Sequence, residues 1–503
     1  MKILRNFFLI CMISLLSSQA RATVGSSGPL LEAATDVFSQ PGVRFMQKLR
    51  TQVDGAKIAV RGLPEGLSFN NRRCLVEGII ADEGTYTYDV VVTVDTVEHI
   101  VPVNLTVSSS LAQPTPFMGW LSWNVVQSDI STDVVKAVAD AMVRTGLKDA
   151  GYTYLVIDDL WQAPTRTDEG YPREDAAKFP GGMKEAADYT HSKGLKFGIY
   201  SDAAEHTCGG AFGSLGYESQ DARQYAEWGV DLLKYDYCEA PDDVDTARVR
   251  YKAMSDALKA TGRDIVFYIC EWGQRQPWLW GAEAGGSCWR TTYDTRDCWH
   301  GDEESHGIGV LESIKNIKNL WPYNGVNRWN DADMMCVGIH GTGKSSSDLC
   351  ISPAGMTPDE YATQFALWCM WSSPLTLSFD LSKDISPEDL ALITNAELIA
   401  LNQDPMGQAA QPIFDDDNFI VFAKDLANGD VAVSVTNLTD SEAPFTVDLS
   451  KIDALEAATL YDVRDVVNHT DNSAVSSYAG LEIPAINAHG TAVRRLHRSA
   501  PHE

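Results

Sequence analysis

The run DLLKYDYC (231–238) is apolar until its far end, where Lys234 and Asp236 stand two residues apart. A buried charge is costly unless it is paired, so this ending marks either a structural ion pair or a site. In extended backbone Lys234 and Asp236 point to one side, Tyr235 and Tyr237 to the other. The same design recurs along the chain. Strand-like runs are read at MGWLSWN (118–124), YLVIDD (154–159), LKFGIYSD (195–202), DIVFYICEWG (264–273), CWRTTYD (288–294), NRWNDADMM (327–335) and SPLTLSFDL (373–381). Helical patterns lie between them. In STDVVKAVADAMVRTGL (131–147), Val134, Val138, Ala141 and Met142 fall at helical spacing behind a Ser131/Thr132 cap. Eight strands, nearly every one followed by a helical segment, predict a (β/α)8 TIM barrel of class α/β over 113–402. An open doubly wound sheet would show a Gly-rich turn after its first strand, and GWLSWN is not one.

The flanking regions change character. Residues 23–112 alternate: in TYTYDVVVTVD, Tyr86, Tyr88, Val90, Val92 and Val94 share one face. This N-terminal all-β module resembles the immunoglobulin-like modules appended to many bacterial exported enzymes, although any small sandwich fits the pattern. SSSLAQPTP (108–116) reads as a linker. Residues 403–503 alternate again, in NFIVFAKD, GDVAVSVTNLT and LEIPAINAHGTAVRRL, and predict a C-terminal antiparallel β-sandwich.

Net charge is −29, with no basic stripe to offset it, which excludes a nucleic-acid partner. Lys2 and Arg5 precede an apolar run from Phe7 to Leu16 and the small-x-small pattern Ala20-Arg21-Ala22. This reads as a signal peptide over 1–22 and an exported protein, periplasmic or secreted. No later run is long and apolar enough to span a bilayer. Nine cysteines remain after such cleavage, so disulfides are expected, with at least one thiol left over. No Cys/His cluster has metal-ligand spacing, and no metal or cofactor is called for.

Charged residues gather where the barrel strands end: Asp158 and Asp159, Tyr200 and Asp202, Lys234 and Asp236, Glu271, Arg290 and Asp294, Asp331 and Asp333. In a barrel that end carries the active site. Trp120, Trp123, Trp161, Trp272, Trp289 and Trp329 accompany them, and about half of these are expected to be plain packing. Carboxylates with aromatic platforms suit a sugar, which offers hydroxyls at its edge and C–H groups on its face. Two carboxylates from neighbouring strand ends suit retaining glycoside hydrolysis. A lysine beside Asp236 favours its ionised form. Spacing alone does not choose the pair from so many acids.

Taken in order, MGWLSWN, YLVIDDLWQ, GLKFGIYSD, TCGGAFGSLGYESQDARQYAEWGVDLLKYDYC, CEWG, WRTTYD, WNDADMM, FALWCMWSSPL and NAELIALNQDPMGQ closely resemble glycoside hydrolase family twenty-seven, which includes the α-galactosidases. The resemblance covers roughly 117–408 and implies a (β/α)8 barrel followed by an antiparallel β domain. It implies Asp236 as nucleophile and Asp294 as general acid/base, the latter with a mildly raised pKa. Trp123, Asp158, Asp159, Tyr200, Lys234, Glu271 and Arg290 fall on positions that hold the sugar. The paired aspartates face O4 and O6 of galactose, and Glu271 and Arg290 face O2. Cys208 and Cys238 match a family disulfide; Cys270–Cys288 is a second pairing, suggested by neighbouring strand ends. Two positions depart from the family: Ala332, often Pro, and Tyr293, usually small, before Asp294.

The implied activity is retaining exo-hydrolysis of terminal α-D-galactosyl residues from oligo- or polysaccharides. Glu271 would clash with an N-acetyl group at C2, which disfavours an α-N-acetylgalactosaminidase. The Asp158–Asp159 pair leaves room for C6, which disfavours a dedicated β-L-arabinopyranosidase. Isomaltose-releasing members stay open. A carbohydrate-binding protein on a dead barrel would be expected to lack one of the two catalytic acids; a structural surface protein with the barrel as scaffold is the more distant rival, and activity on a chromogenic α-galactoside separates both from an enzyme.

Overall fold

The computed structural model describes residues 30–301, 307–343 and 355–500. The signal reading at 1–22 lies outside them. Eight parallel strands form the central sheet: β1 Met118–Leu121, β2 Tyr154–Val156, β3 Lys196–Asp202, β4 Leu232–Asp236, β5 Val266–Ile269, β6 Cys288–Arg290, β7 Trp329–Asp331 and β8 Leu375–Leu377. They run in sequence order from β1 to β7, with β8 beside β1. A parallel bridge between Met335 and Leu377 closes the ring.

The alternation read in 231–238 holds. Leu232 joins the cluster inside the barrel with Tyr154, Val266 and Trp329, while Leu233 and Tyr235 pack outward under the helices. The Tyr237 ring stacks 5.7 Å from Tyr251 of the helix Val244–Ala260. The helix Thr132–Arg144 starts on Ser131, whose hydroxyl accepts from the Val134 N–H. It buries Val135, Val138, Ala139, Ala141 and Met142; Val134, expected on that face, is only half-buried.

One expected strand is split. CWRTTYD is not continuous: β6 ends at Arg290, and Asp294–Thr295 forms a separate short strand paired with Gly307–Ile308. Asp294 therefore sits on a ribbon folded over the strand end rather than on the strand.

The N-terminal residues form two sheets, one of four strands and one of three. Tyr86, Tyr88, Val90, Val92 and Val94 share their core, as the alternation predicts. This module closes the barrel end opposite the charged strand ends. Phe38 and Leu111 pack on the cluster made by Phe117, Tyr154, Leu232, Val266 and Trp329, residues at or next to the strand starts. Arg328 donates to the Asp36 carbonyl at 2.5 Å. Arg73 reaches Asp425 of the C-terminal domain at 2.6 Å. The segment 108–116 is a fastened strap: the Gln113 carbonyl accepts from the Trp329 indole at 3.0 Å and from the Asn327 N–H at 3.1 Å.

The C-terminal domain has an antiparallel six-stranded sheet and a two-stranded one. Its Phe422 meets Trp371 of the helix Pro358–Trp371 at 5.9 Å, edge to face, so its core runs into that of the barrel.

Candidate active site

Each strand that ends in charge delivers its side chains to one mouth. Lys234 and Asp236 on β4 are in register with Tyr200 and Asp202 on β3. The Tyr200 hydroxyl donates to Asp236 Oδ2 at 2.9 Å, and the Tyr237 N–H donates to Oδ1 at 3.0 Å. Lys234 does not spend its charge on Asp236. Its Nζ donates to Asp158 Oδ2 at 2.7 Å and lies 5.5 Å from the centre of the Tyr200 ring. Asp159 turns to the adjoining loop, where its Oδ2 accepts from the Gly209 N–H at 2.6 Å. A Cβ at Gly209 would stand 2.8 Å from that oxygen, so the approach requires glycine. The Cys208–Cys238 disulfide ties this loop to the end of β4, as the resemblance implied.

Glu271, beyond β5, has no exposed surface. Its Oε2 accepts from the Arg275 N–H at 2.8 Å and from the Arg275 guanidinium at 3.1 Å. Its Oε1 has no hydrogen-bond partner among the described residues. Glu271 is thus held by Arg275 rather than by Arg290. Arg290, also fully buried, donates from Nη2 to Asp294 Oδ1 at 3.0 Å and sets Nη1 2.9 Å from Asp333 Oδ1. Asp333 Oδ2 accepts from the Thr295 N–H at 2.7 Å, which fixes the ribbon that carries Asp294. The outer end of that segment is stacked: the Trp299 ring lies 4.3 Å from His489 of the C-terminal domain, with planes 9° apart.

The structure therefore brings Asp158, Asp159, Tyr200, Lys234, Asp236, Glu271, Arg290 and Asp294 to one mouth, with half-buried Trp123 on the loop after β1. Four of the six tryptophans are core. Trp120, Trp161, Trp289 and Trp329 are fully buried; Trp123 and Trp272 are not. The Cys270–Cys288 pairing is corrected: both are thiols. Cys288 stands opposite Tyr268 in the β5–β6 register, two residues short of Cys270, and belongs to the cluster at the barrel floor. Cys270 instead lies with its sulfur 4.0 Å from Arg290 Nη1.

The protonation expectation is also corrected. Burial pushes Asp236 up to about 7; Lys234 opposes this, and the charge of Asp294 adds to it. Burial would raise Asp294 too, but Arg290, Arg296 and Lys234 outweigh it and hold that carboxyl below its usual range. Asp294 keeps 32 % of its side-chain surface open to solvent, so these cations act on it partly screened. The physical reason for both reversals is the same: the lysine nearest Asp236 is engaged by Asp158, while two guanidiniums flank Asp294. Between the two carboxyls, these surroundings favour the charge on Asp294 and the proton on Asp236. Burial also pushes Glu271 up to about 7, against the pull of Arg275. Asp202, beside Asp236, is pushed up to about 9 by burial and then by the Asp236 charge.

Sequence reasoning left Arg275 and Arg296 unmarked, and named Asp202 and Asp333 only as strand ends. Arg275 follows Glu271 by four residues and Arg296 follows Asp294 by two, in loops where spacing carries no directional signal. Asp202, Asp236, Cys208 and Cys238 crowd together, but the two sulfurs are bonded to each other and offer no thiolate.

Residues 115–404 match the family model described as alpha galactosidase A, and 416–496 match the alpha galactosidase C-terminal beta sandwich domain. The chain belongs to the alpha-galactosidase family. Alpha-galactosidase A of Cellvibrio japonicus is 38 % identical over 395 residues, covering 76 % of this chain and 92 % of that one. Alpha-galactosidase of Cyamopsis tetragonoloba is 40 % identical over 370 residues, covering 73 % and 84 %. Among solved structures, alpha-galactosidase I of Mortierella vinacea superposes with a TM-score of 0.72 at 31 % identity, covering 78 % of this chain and 99 % of that one. A Bacteroides fragilis structure reaches 0.72 at 34 % identity and covers 93 % and 98 %, too large a share to leave out the N-terminal sheets. The β domain after the barrel is thus a family feature, and the N-terminal module is shared with only some of these relatives. No helix among the described residues is long and apolar enough to cross a membrane.

Proposed function

We propose that the chain hydrolyses terminal α-galactosides with retention, Asp236 attacking the anomeric carbon and Asp294 serving as acid and then base. The observation that carries this is the convergence of those two carboxyls at one mouth, where the Asp294 charge is felt at Asp236, between the Lys234–Asp158 pair and Arg290. In the first step Asp236 Oδ bonds to C1, the bond from C1 to the leaving oxygen breaks, and that oxygen takes the Asp294 proton. In the second, Asp294 removes a proton from water, whose oxygen displaces Asp236 from C1 and releases α-galactose. Only molecules with the pair's proton moved from Asp236 to Asp294 enter the first step.

The sugar's hydroxyls have ready partners. The unpartnered, buried Oε1 of Glu271 suits O2, and a carboxylate there suits a hydroxyl better than a 2-acetamido group. Asp158 and Asp159, both short acids, suit O4 and O6 and leave space for C6. A raffinose complex is known for the relative from Saccharomyces cerevisiae. The corresponding substrates here are galactosyl oligosaccharides or the side groups of a galactosylated polysaccharide. A panel of nitrophenyl glycosides tests the reading: the α-galactoside should turn over far faster than the α-N-acetylgalactosaminide or the β-L-arabinopyranoside. Asp236→Asn should abolish all turnover, and wild-type rates in that variant would end the assignment. Export is proposed on the N-terminal charge, apolar run and Ala20-Arg21-Ala22, in keeping with a disulfide beside the site. N-terminal sequencing of the mature protein tests it.

A further inference from the structure

We propose that Arg296 is a positioning residue for this reaction: from the ribbon beside Asp294, it sets which of the two carboxyls holds their shared proton. The inference rests on the roles just given to Asp236 and Asp294.

Among the described residues, the charges around the pair leave one cation whose ion-pair contact is the pair itself. Lys234 is matched by Asp158 at 2.7 Å, and Arg290 is divided between Asp333 at 2.9 Å and Asp294 at 3.0 Å. If those cations neutralise Asp158 and Asp333, Asp236 and Asp294 are left facing each other with Arg296 as the remaining positive charge. Arg296 Nη1 lies 3.8 Å from Asp294 Oδ2, an ion-pair distance. Only 7 % of the Arg296 residue is exposed, and its Nε has no hydrogen-bond partner among the described residues. A buried guanidinium with an unmet donor is unfavourable for folding alone, which points to a role in the site. Its backbone is pinned, with its N–H donating to the Ile308 carbonyl at 2.8 Å, so the side chain is delivered from a fixed ribbon. One cation beside two carboxyls supports one negative charge and one proton, and Arg296 stands on the Asp294 side.

The groups that face this pair are Asp158 from beyond β2, Tyr200 and Asp202 from β3, Lys234 from β4, Cys270 from beyond β5, Arg290 from β6, Asp333 from beyond β7 and Arg296 from the ribbon. Arg296 also faces the buried thiol of Cys336. With the cations gathered at Asp294, the pair titrates in two steps that belong to both carboxyls together, and the charge released in the lower step settles on the Asp294 side. Below the lower step both are protonated and Asp236 cannot attack. Removing the Arg296 charge raises the lower step, so the acid limb of activity moves to higher pH.

The test is the pH profile of kcat/KM for Arg296→Gln and Arg296→Lys on two substrates. One is raffinose, whose leaving oxygen needs a proton; the other is a dinitrophenyl α-galactoside, whose leaving group does not. For raffinose, Arg296→Gln should shift the acid limb upward by about one pH unit, the lower end of what one nearby charge does. Arg296→Lys, which keeps the charge, should hold the wild-type limb. The dinitrophenyl profile should stay in place in both variants. An unmoved raffinose limb in Arg296→Gln overturns the inference, as does an equal shift in Arg296→Lys or an equal shift on both substrates. Azide added to Asp294→Ala separates the two levels of the argument. Azide rescue that yields α-galactosyl azide keeps Asp294 as acid/base, so an unmoved limb then counts against Arg296 alone. No rescue counts against the role of Asp294 itself.

Discussion

Replacing Lys234 with Met leaves the carboxylate of Asp158 buried without its cation. The pair is 2.7 Å apart, with side chains 6 % and 5 % exposed. At an effective dielectric of 20, that separation corresponds to a gross attraction of about 6 kcal/mol. Desolvation offsets part of it, and breaking one side of a buried pair leaves a net loss of roughly 3–5 kcal/mol. Met keeps the volume of the lysine stem, so the loss is one of charge rather than of packing. For a chain of this size about 1 °C of Tm accompanies each kcal/mol, so Lys234→Met should melt roughly 3–5 °C below wild type. Burial opposes the Lys234 charge, but Asp158 outweighs it and the lysine's pKa is raised. On the lysine's side, the stabilisation is therefore fully present below the unfolded value, about 10.4, and the deficit should stay constant from pH 5 to 9. Scanning calorimetry of Lys234→Met, Asp158→Asn and the double variant gives the coupling. The double variant should recover more than half of the Lys234→Met loss, because it strands no charge. A Lys234→Met protein within 2 °C of wild type, or a double variant no better than the single, would refute the claim that this pair is a buried, mutually dependent unit.

Serine at both Cys208 and Cys238 should remove roughly 3.5 kcal/mol, from a bridge spanning 30 residues. It should also raise KM more than it lowers kcat, since the loosened loop carries the Gly209 N–H that holds Asp159; denaturant melts and steady-state kinetics check both. Stability should fall as pH rises from about 4 to about 9. Asp331, Asp236 and Asp202, pushed up to about 6, about 7 and about 9, hold protons in the folded state that the unfolded chain has lost. Below that window Asp294 and Glu397, the latter lowered to about 2, act in the opposite sense, placing the Tm maximum near pH 4–5. A flat or rising Tm from pH 5 to 8 would contradict this. Phe38→Asp, which sets a charge against the barrel floor, should cost about 1–3 kcal/mol of stability and leave KM for galactosides unchanged.

The barrel was legible because its strands are short apolar runs that end in charge, and period 2 already put Lys234 and Asp236 on one side of their strand, away from Tyr235 and Tyr237. The family motifs then chose two acids from many, a choice spacing could not make. What was not legible depends on contacts between elements far apart in the chain. That Lys234 binds Asp158 rather than Asp236 follows from how the ends of β2 and β4 face each other across β3, bringing together residues 76 apart in the chain. The separate ribbon of Asp294 follows from pairing with 307–308, and no local pattern in CWRTTYD announces it. Cys270 and Cys288 looked adjacent because strand ends were compared without register. The tryptophans at 120, 161, 289 and 329 are indistinguishable in sequence from those at the mouth; each instead satisfies its indole N–H inside the protein, Trp161 on the Tyr200 carbonyl at 2.9 Å, for instance.

The Trp299–His489 stack bears on how this hydrolase can be rearranged. The segment carrying the acid/base is braced at its far end by a side chain supplied some two hundred positions later, itself held by Glu360 at 2.6 Å. A chimera that grafts this barrel onto a foreign tail, or a minimal version trimmed at 402, would lose that brace along with the apolar surface continuous with Phe422. Shuffling experiments should therefore treat barrel and sandwich as one inheritable block, together with the N-terminal sheets that Arg328 and Arg73 fasten to them.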